Sequence, residues 1–296
     1  MREGMKMDIR EIEKRAKEFQ ILNLRVCRQG ELILKRDWDD EMRRNQYSAS
    51  KSVTSIAVGI AVKEGLLSLE EKLCDVFAEE IPENPGENLR KATVRDLLTM
   101  CLGQKKAALM GEERPHLKER DWVRYSLSLP FEEEPGTSFV YNNVGPYLAG
   151  ILVQRRAGCS LVDYLMPRLF EPMGMTRTVW EVDPQGAVFG AGGLFWSVSE
   201  LLKFGCLLLQ EGKWNGKQLV PAEYIREASR AQVDNGAQGY GYLFWRGPYD
   251  SYRADGKYGQ LSIVIPQKET VIAINAESRD ATGMMNCCMD VIVPQL

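Results

Sequence analysis

The chain has 296 residues, of which 44% are hydrophobic and 27% are charged, and its 38 basic and 41 acidic residues give a formal net charge of −3. This composition is typical of a globular protein with one large domain or two smaller ones. Because the two signs of charge are interspersed, neither a basic face for nucleic acid nor an acidic tail is indicated. We therefore expect no nucleic-acid partner.

The sequence also gives no indication of a membrane segment or of a metal site. Its first eight residues are charged and lack the apolar core of a secretory signal. A long uncharged stretch, 137–154, contains two asparagines, a glycine and a proline, and predicts a loop followed by a buried helix. Seven cysteines are scattered without metal-ligand spacing. We expect a cytoplasmic protein with reduced thiols, no membrane partner and no metal or other cofactor.

The first quarter of the chain predicts a helix, a hairpin and a second helix. Periodic apolar residues predict an amphipathic helix over 8–20. Alternating segments at 21–27 and 31–37, joined by a Gln-Gly turn, predict a β-hairpin. An apolar helix then begins near Ser48 and ends near Gly65.

Helical patterns fill the middle of the chain, and strand patterns return near its end. The helical segments open at Thr93 and Asp121 and span 145–156, 161–170, 199–204 and 221–228. The strand segments are 240–246, 251–254, 261–265 and 270–276, followed by a closing helix over 280–291. This order favours the α+β class, with an antiparallel sheet built from both termini, flanked by helices, and an inserted α-rich domain. We predict a single unit (1–296) in which 1–68 and 197–296 form the sheet part and 69–196 the inserted part.

The tetrad Ser48-Ala49-Ser50-Lys51 opens the apolar helix and is the one Ser-x-x-Lys of the chain. Helix positions three apart share a face, which places the Ser48 hydroxyl beside the Lys51 amine at the positive end of the helix dipole. An apolar setting disfavours the lysine cation, so the pKa of Lys51 should fall and the amine can act as a base. The structural alternative is a serine that only caps the helix.

A second candidate motif is Tyr141-Asn142-Asn143, the one Tyr-x-Asn of the chain, on a loop before the helix 145–156. A tyrosine close to Lys51 can exchange a proton with Ser48 or with a leaving group. Asn143 can hold a substrate carbonyl or amide. The structural alternative is a tyrosine packed at a loop–helix junction beside a capping asparagine.

Other kinds of site are weaker candidates. The one histidine, His116, lies in a charged loop, and no Gly-x-Ser-x-Gly elbow accompanies it. No glycine-rich phosphate loop is present. The polar loop 104–120 either borders a cleft or is a mobile surface loop. The aromatic cluster 240–245 lines an acyl pocket or belongs to the core.

Ser48-x-x-Lys51 and Tyr141-x-Asn143 together resemble the motifs of the penicillin-binding-protein and β-lactamase superfamily of serine hydrolases. The Tyr-x-Asn form is closest to the class C β-lactamase and related esterase branch. Three further segments are similar to that branch in the same order, namely 131–141, 168–175 and 191–197. The resemblance covers nearly the whole chain and implies a β-lactamase/transpeptidase-like fold.

The third motif of the superfamily, Lys-Thr-Gly or His-x-Gly on a strand, is missing from this chain. The segment 253–260 stands in its place, and we match Gly256 to the motif glycine, which lets a substrate lie against the backbone. By this match the backbone N–H groups of Ser48 and Lys257 form the oxyanion hole. The candidate substrate-binding segment therefore consists of Arg253, Asp255, Gly256 and Lys257.

The resemblance implies a serine hydrolase that forms an acyl-enzyme without a cofactor. Ser48 is then the nucleophile, Asn143 orients the substrate, and Lys51 and Tyr141 share the proton transfers, either being a candidate base. The superfamily's motif cation helps to bind a β-lactam carboxylate, a role that falls here to Arg253 or Lys257 if these are not solvated loop charges. Because this chain lacks the superfamily's motif cation, we rank a small ester or amide first as substrate, and a β-lactam or D-amino-acid peptide second. The alternative of another class is a non-catalytic penicillin-binding or sensor-like relative.

Overall fold

The computed structural model describes residues 7–296, and most of the charged start, residues 1–6, lies outside the described residues. The strands are β1 (Ile21–Arg28), β2 (Glu31–Asp37), β3 (Arg44–Asn45), β4 (Phe195–Trp196), β5 (Lys213–Trp214), β6 (Lys217–Gln218), β7 (Trp245–Arg246), β8 (Tyr252–Asp255), β9 (Leu261–Ile265) and β10 (Thr270–Ala276). Six of them form an antiparallel sheet in the order β2–β1–β10–β9–β8–β7. The N-terminal hairpin thus pairs with C-terminal strands, which confirms the predicted fold class.

Helices cover both faces of this sheet. They are α1 (Arg10–Arg15), α2 (Ser50–Lys63), α3 (Leu73–Val76), α4 (Glu87–Lys91), α5 (Val94–Thr99), α6 (Trp122–Ser128), α7 (Val144–Ala157), α8 (Leu161–Leu165), α9 (Val198–Leu209), α10 (Ala222–Ser229) and α11 (Ala281–Ile292). No helix within residues 7–296 is long and apolar enough to span a bilayer.

The sheet separates two apolar clusters. Ile263 and Ile272 face one side, where they pack with α1 and α11, whereas their neighbours Val264 and Val271 face the other, where α9 lies. Successive strand residues point to opposite faces, so a strand covered on both sides must be apolar throughout. This explains why β9 and β10 are buried throughout and mostly apolar, with Ser262, Thr270 and Asn275 as the exceptions, and their bounds are those that the sequence predicts.

The helix α2 lies at the centre of the fold and is buried almost all round from Ser50 to Ala61. It packs against α7, whose N-terminus carries the Tyr141–Asn143 loop. Because no face of this helix is exposed to solvent, its sequence does not need separate polar and apolar faces. The packing of these two helices brings the two sequence motifs, 90 residues apart, to one place.

The inserted helical part shares an apolar core with the rest of the chain. That core extends from Ala49 through the helices of residues 69–196 to Val271 on the sheet. Strand β3 also pairs with β4, which ties residues 44–45 to residues 195–196. The boundaries at 68/69 and 196/197 remain predictions.

Three predicted elements are shorter in the structure: the predicted helix 8–20 is helical over Arg10–Arg15 alone, and two others are shorter for local reasons. Of the predicted strand 240–246, only Trp245–Arg246 is a strand, because Leu243 has a φ of +62° and Gly241 N–H donates to the Phe244 carbonyl in a tight turn. The predicted helix 161–170 continues beyond Leu165 only as a π-turn that contains Pro167. Proline has no N–H to donate, so a regular helix ends there.

Candidate active site

Ser48 lies in a 3₁₀ turn, Tyr47–Ala49, that leads directly into α2. The residue before it, Tyr47, has a φ of +44°, a left-handed conformation that a tyrosine rarely adopts. The side chain of Asn45 holds this conformation by accepting a hydrogen bond from the Tyr47 N–H at 2.7 Å. Ser48 is therefore presented on a sharp turn at the floor of a cavity, a feature that the sequence does not reveal.

Lys51 points back from α2 toward this serine. Its Nζ lies 2.9 Å from Ser48 Oγ and donates to the Ala191 carbonyl at 2.7 Å. The residue is 1% exposed. Burial, assisted by the positive charge of Arg114, lowers the pKa of Lys51 well below its usual value of 10.5. Burial thus favours the neutral form of the amine, whose lone pair would lie within reach of the Ser48 hydroxyl.

The Ala191 carbonyl belongs to a glycine-rich segment, 190–193, that packs along α2. Thr54 Oγ1 donates to the Gly190 carbonyl at 2.8 Å, and Trp180 Nε1 donates to the Gly192 carbonyl at 2.9 Å. Gly193 has a φ of +80°, and a Cβ there would lie 2.2 Å from the Glu181 Cβ. These contacts fix the segment against Lys51, so its backbone acts as a second partner of the amine.

Tyr141 lies close to Lys51, whose Nζ is 5.1 Å from the centroid of the tyrosine ring. The ring packs against Trp245 at 5.2 Å and against Tyr240 at 6.4 Å, measured between centroids. Burial raises the pKa of Tyr141 above its ordinary value, the negative charge of Asp255 adds to this, and the Ser48 hydroxyl and Trp245 oppose it as hydrogen-bond partners. Tyr141 is therefore a protonated phenol at neutral pH.

The two asparagines after Tyr141 have different surroundings. Asn142 caps α7, because its Oδ1 accepts from the Gly145 N–H at 3.0 Å. Asn143 donates from Nδ2 to the Leu109 carbonyl at 2.8 Å, and its buried Oδ1 has no hydrogen-bond partner among the described residues. Asn143 lines the cavity beside Ser48. Since Asn142 supplies the cap, Asn143 Oδ1 is not used to cap α7.

Ser48, Tyr141 and Asn143 line a cavity of about 920 Å³, large enough for a small or medium organic molecule, and the buried Lys51 lies behind Ser48. Its wall includes Met110 and Arg114, so the loop 104–120 does border the cleft, and Trp245 from the aromatic cluster lines it as well. His116 is exposed and does not line the cavity. Among residues 7–296, no group of three or more His, Cys, Asp or Glu side chains is arranged to hold a metal ion.

The segment that replaces the third motif borders the same cavity, at the end of β8. Arg253, Asp255 and Lys257 line it, and Arg253 Nε donates to Asp255 Oδ2 at 2.7 Å. Burial raises the pKa of Asp255, and the adjacent Arg253 opposes the rise. The strand thus brings an ion pair, rather than a lone cation, to this wall.

Gly256 and Lys257 form the turn after β8. A Cβ on Gly256 would lie 2.6 Å from the Gln46 carbonyl oxygen, so the glycine allows β8 to approach the chain just before Ser48. The neighbouring turn residues donate their N–H groups to Gln260, at 2.9 Å from Gly256 and 3.2 Å from Tyr258. The Lys257 N–H between them has no hydrogen-bond partner in the described part of the chain.

Arg114 is a cavity residue that sequence reasoning misses. It stacks 4.1 Å from the Phe189 ring centroid, and its Nη1 lies 3.2 Å from Glu181 Oε1. Burial lowers the pKa of Arg114. Nothing local in the charged loop around it distinguishes this arginine from its solvated neighbours, since its position depends on contacts about 70 residues away.

The chain belongs to the β-lactamase family, whose sequence model matches residues 10–284. Among curated relatives, it is 31% identical over 156 residues to the lovastatin esterase of Penicillium rubens, a match that covers 44% of this chain and 37% of that protein.

Solved structures show the same fold. The chain is similar to a putative 6-aminohexanoate-dimer hydrolase from Bacillus anthracis, with a TM-score of 0.76, 21% identity and coverage of 95% of this chain and 81% of that one. It is also similar to a penicillin binding protein from Bacillus halodurans, with a TM-score of 0.75, 17% identity and coverage of 95% and 100%. The resemblance to the superfamily is thereby confirmed. The chain spans 54%, 37% and 30% of the lengths of the curated relatives that it matches.

Proposed function

We propose that this protein is a serine hydrolase that cleaves a small ester through an acyl-enzyme on Ser48. The observation that carries the proposal is the 2.9 Å contact between Ser48 Oγ and the Nζ of a lysine that is 1% exposed. A buried lysine with few polar partners is costly as a cation, and a neutral amine beside a hydroxyl is an activating base.

In the proposed acylation step, Lys51 takes the proton of Ser48 Oγ as this oxygen attacks the ester carbonyl carbon. The tetrahedral intermediate collapses, the bond to the alcohol oxygen breaks, and the alcohol leaves with a proton that Tyr141 donates. The proton on Lys51 then returns to Tyr141. The raised pKa of Tyr141 keeps the phenol protonated and so available as the acid, and the lowered pKa of Lys51 favours the neutral amine that a base requires.

Deacylation follows the same route in reverse, with water in place of the alcohol. A water molecule gives a proton to the Lys51–Tyr141 pair as it attacks the acyl carbon, and Ser48 Oγ leaves as the proton returns to it. The products are a carboxylic acid and free enzyme.

The remaining site residues hold the reacting carbonyl. We propose that the backbone N–H groups of Ser48 and Lys257 bind the oxyanion, for which the unpartnered Lys257 N–H is the support. One such donor contributes about 3–4 kcal/mol to transition-state stabilisation. Asn143 is proposed to orient the substrate, since the residue lines the cavity and its buried Oδ1 has no hydrogen-bond partner among the described residues.

An ester ranks above a β-lactam as substrate for two reasons. The relative from Penicillium rubens is named an esterase. At the wall where the superfamily's motif cation would bind a β-lactam carboxylate, Arg253 is already paired with Asp255, which leaves the exposed Lys257 as the cation without an acidic partner among the described residues. We place this activity in the cytoplasm, where the protein would act on small-molecule substrates.

The test compares wild type with Ser48→Ala on p-nitrophenyl acetate, p-nitrophenyl butyrate and nitrocefin. We expect ester turnover in the wild type, a loss of at least about 10³-fold in Ser48→Ala, and little nitrocefin turnover. Ser128→Ala, which removes an exposed hydroxyl, is the matched control and should retain full activity. Equal ester turnover in wild type and Ser48→Ala would contradict the proposal. Stable labelling by a fluorescent penicillin without any turnover would favour the sensor-like alternative.

A further inference from the structure

The charges that line the active-site cavity are largely paired within it. Arg253 and Asp255 are 16% and 25% exposed and meet at 2.7 Å. On another wall, Arg114 lies 3.2 Å from Glu181. The third lining cation, Lys257, is exposed and lies over the Tyr258 ring at 5.3 Å. The cavity therefore contains two arginines, each already facing a carboxylate of the same cavity.

The Arg253–Asp255 pair lies at the Tyr141 end of the cavity. In the β7–β8 register Arg253 is opposite Trp245, whose ring is 5.2 Å from the Tyr141 ring. Arg253 Nη1 also donates to the Arg246 carbonyl at 3.1 Å, which fixes the guanidinium along the sheet edge. If Tyr141 protonates the leaving group, as the proposed function requires, the pair faces the leaving-group side of a bound ester.

We propose that Asp255 is a specificity-determining residue, which occupies Arg253 and thereby selects esters with an uncharged leaving group over esters whose leaving group carries a carboxylate. This inference rests on the proposed function. A substrate carboxylate at this wall must compete with Asp255 for the arginine and must lie near a second negative charge. In a partly desolvated site such like-charge proximity is costly, and repulsion of this kind is an effective source of specificity.

Changing Asp255 to asparagine should reverse this preference, because the amide retains the shape of the side chain but frees the arginine charge. The probes are 4-acetoxybenzoate and 4-acetoxybenzamide, which differ in the charge of the leaving group and share the acyl group. We expect D255N to raise the ratio of kcat/KM for the anionic ester to that for the neutral ester by about tenfold, the effect of roughly 1.4 kcal/mol.

Further variants separate charge from structure. R253Q, which leaves the Asp255 carboxylate unpaired, should lower the ratio below the wild-type value. The double variant R253Q/D255N is neutral like the wild type and should return the ratio toward it. D250N removes the acid of the Arg246–Asp250 pair, which lies outside the cavity, and should leave the ratio unchanged.

The outcomes distinguish this inference from the proposed function. If the wild type and Ser48→Ala hydrolyse each of the two probes at the same rate, the proposed function itself fails. If the wild type hydrolyses the neutral probe through Ser48 but D255N leaves the ratio unchanged, the specificity inference alone is overturned. Should D255N not fold, R253Q is decisive, and an unchanged ratio in R253Q overturns the inference in the same way.

Discussion

Lys51→Ala is expected to lower kcat/KM for p-nitrophenyl butyrate by at least about 10³-fold while the chain remains folded. The amine is the one basic group in contact with the Ser48 hydroxyl, at 2.9 Å, among the described residues. Without it the serine must lose its proton to water, which does not lie in a fixed position relative to the attacking oxygen. The deficit should appear in the acylation step of a single-turnover experiment.

Lys63→Ala is the matched control for this prediction. Lys63 is the last residue of the same helix, and it is exposed. It should retain wild-type kinetics, and both variants should have the far-ultraviolet circular dichroism of the wild type. Near wild-type ester hydrolysis by Lys51→Ala would show that the proposed base is wrong and would move that role to Tyr141.

Lys51→Met is expected to gain stability relative to the wild type as the pH falls below about 10, although it loses activity. In the folded chain the pKa of Lys51 lies well below 10.5, whereas the lysine of the unfolded chain has its ordinary pKa. Between these two values only the unfolded state binds the proton, so wild-type stability rises with pH. Each pH unit within that window changes the free energy of unfolding by about 1.4 kcal/mol.

Urea denaturation of both chains at about pH 7, 8.5 and 10 measures this difference. The methionine side chain cannot donate to Ser48 or Ala191, which costs stability equally at every pH, so the slope with pH is the decisive quantity. Lys63→Met should show no such slope, because its lysine is exposed in both states. A Lys51→Met difference that is constant over this range would show that Lys51 is charged in the folded protein.

The sequence predicts the elements that depend on local pattern. Strands β9 and β10 are rich in β-branched residues and buried on both faces, and their predicted bounds agree with the structure. The hairpin of β1 and β2 is similarly well predicted from alternation and its turn. The strand predicted over 240–246 is mostly wrong, because the backbone of Leu243 donates to the Leu98 carbonyl at 2.9 Å, a contact that no local pattern encodes.

The same distinction applies to the candidate site. Ser48, Lys51, Tyr141 and Asn143 are recognisable because their chemistry resides in side chains at short spacing. The Ala191 carbonyl that accepts from Lys51 is a backbone group 140 residues away. Because every residue has such a carbonyl, the residue type does not identify it. The Arg253–Asp255 pair did carry a signal, since strand residues two apart share a face. The sequence does not show that Asp255 pairs with Arg253 at that wall, because the pairing depends on the positions of the two side chains in the fold.

The most direct measurement of the central claim is covalent labelling with a fluorophosphonate, followed by mass spectrometry of the intact chain and its peptides. The probe forms a stable bond with an activated serine, so the result does not depend on the natural substrate. We expect a single label on the peptide that contains Ser48, none on Ser48→Ala, and slow labelling of Lys51→Ala. Labelling of another residue, or equal labelling of wild type and Ser48→Ala, would contradict the assignment of Ser48 as the nucleophile.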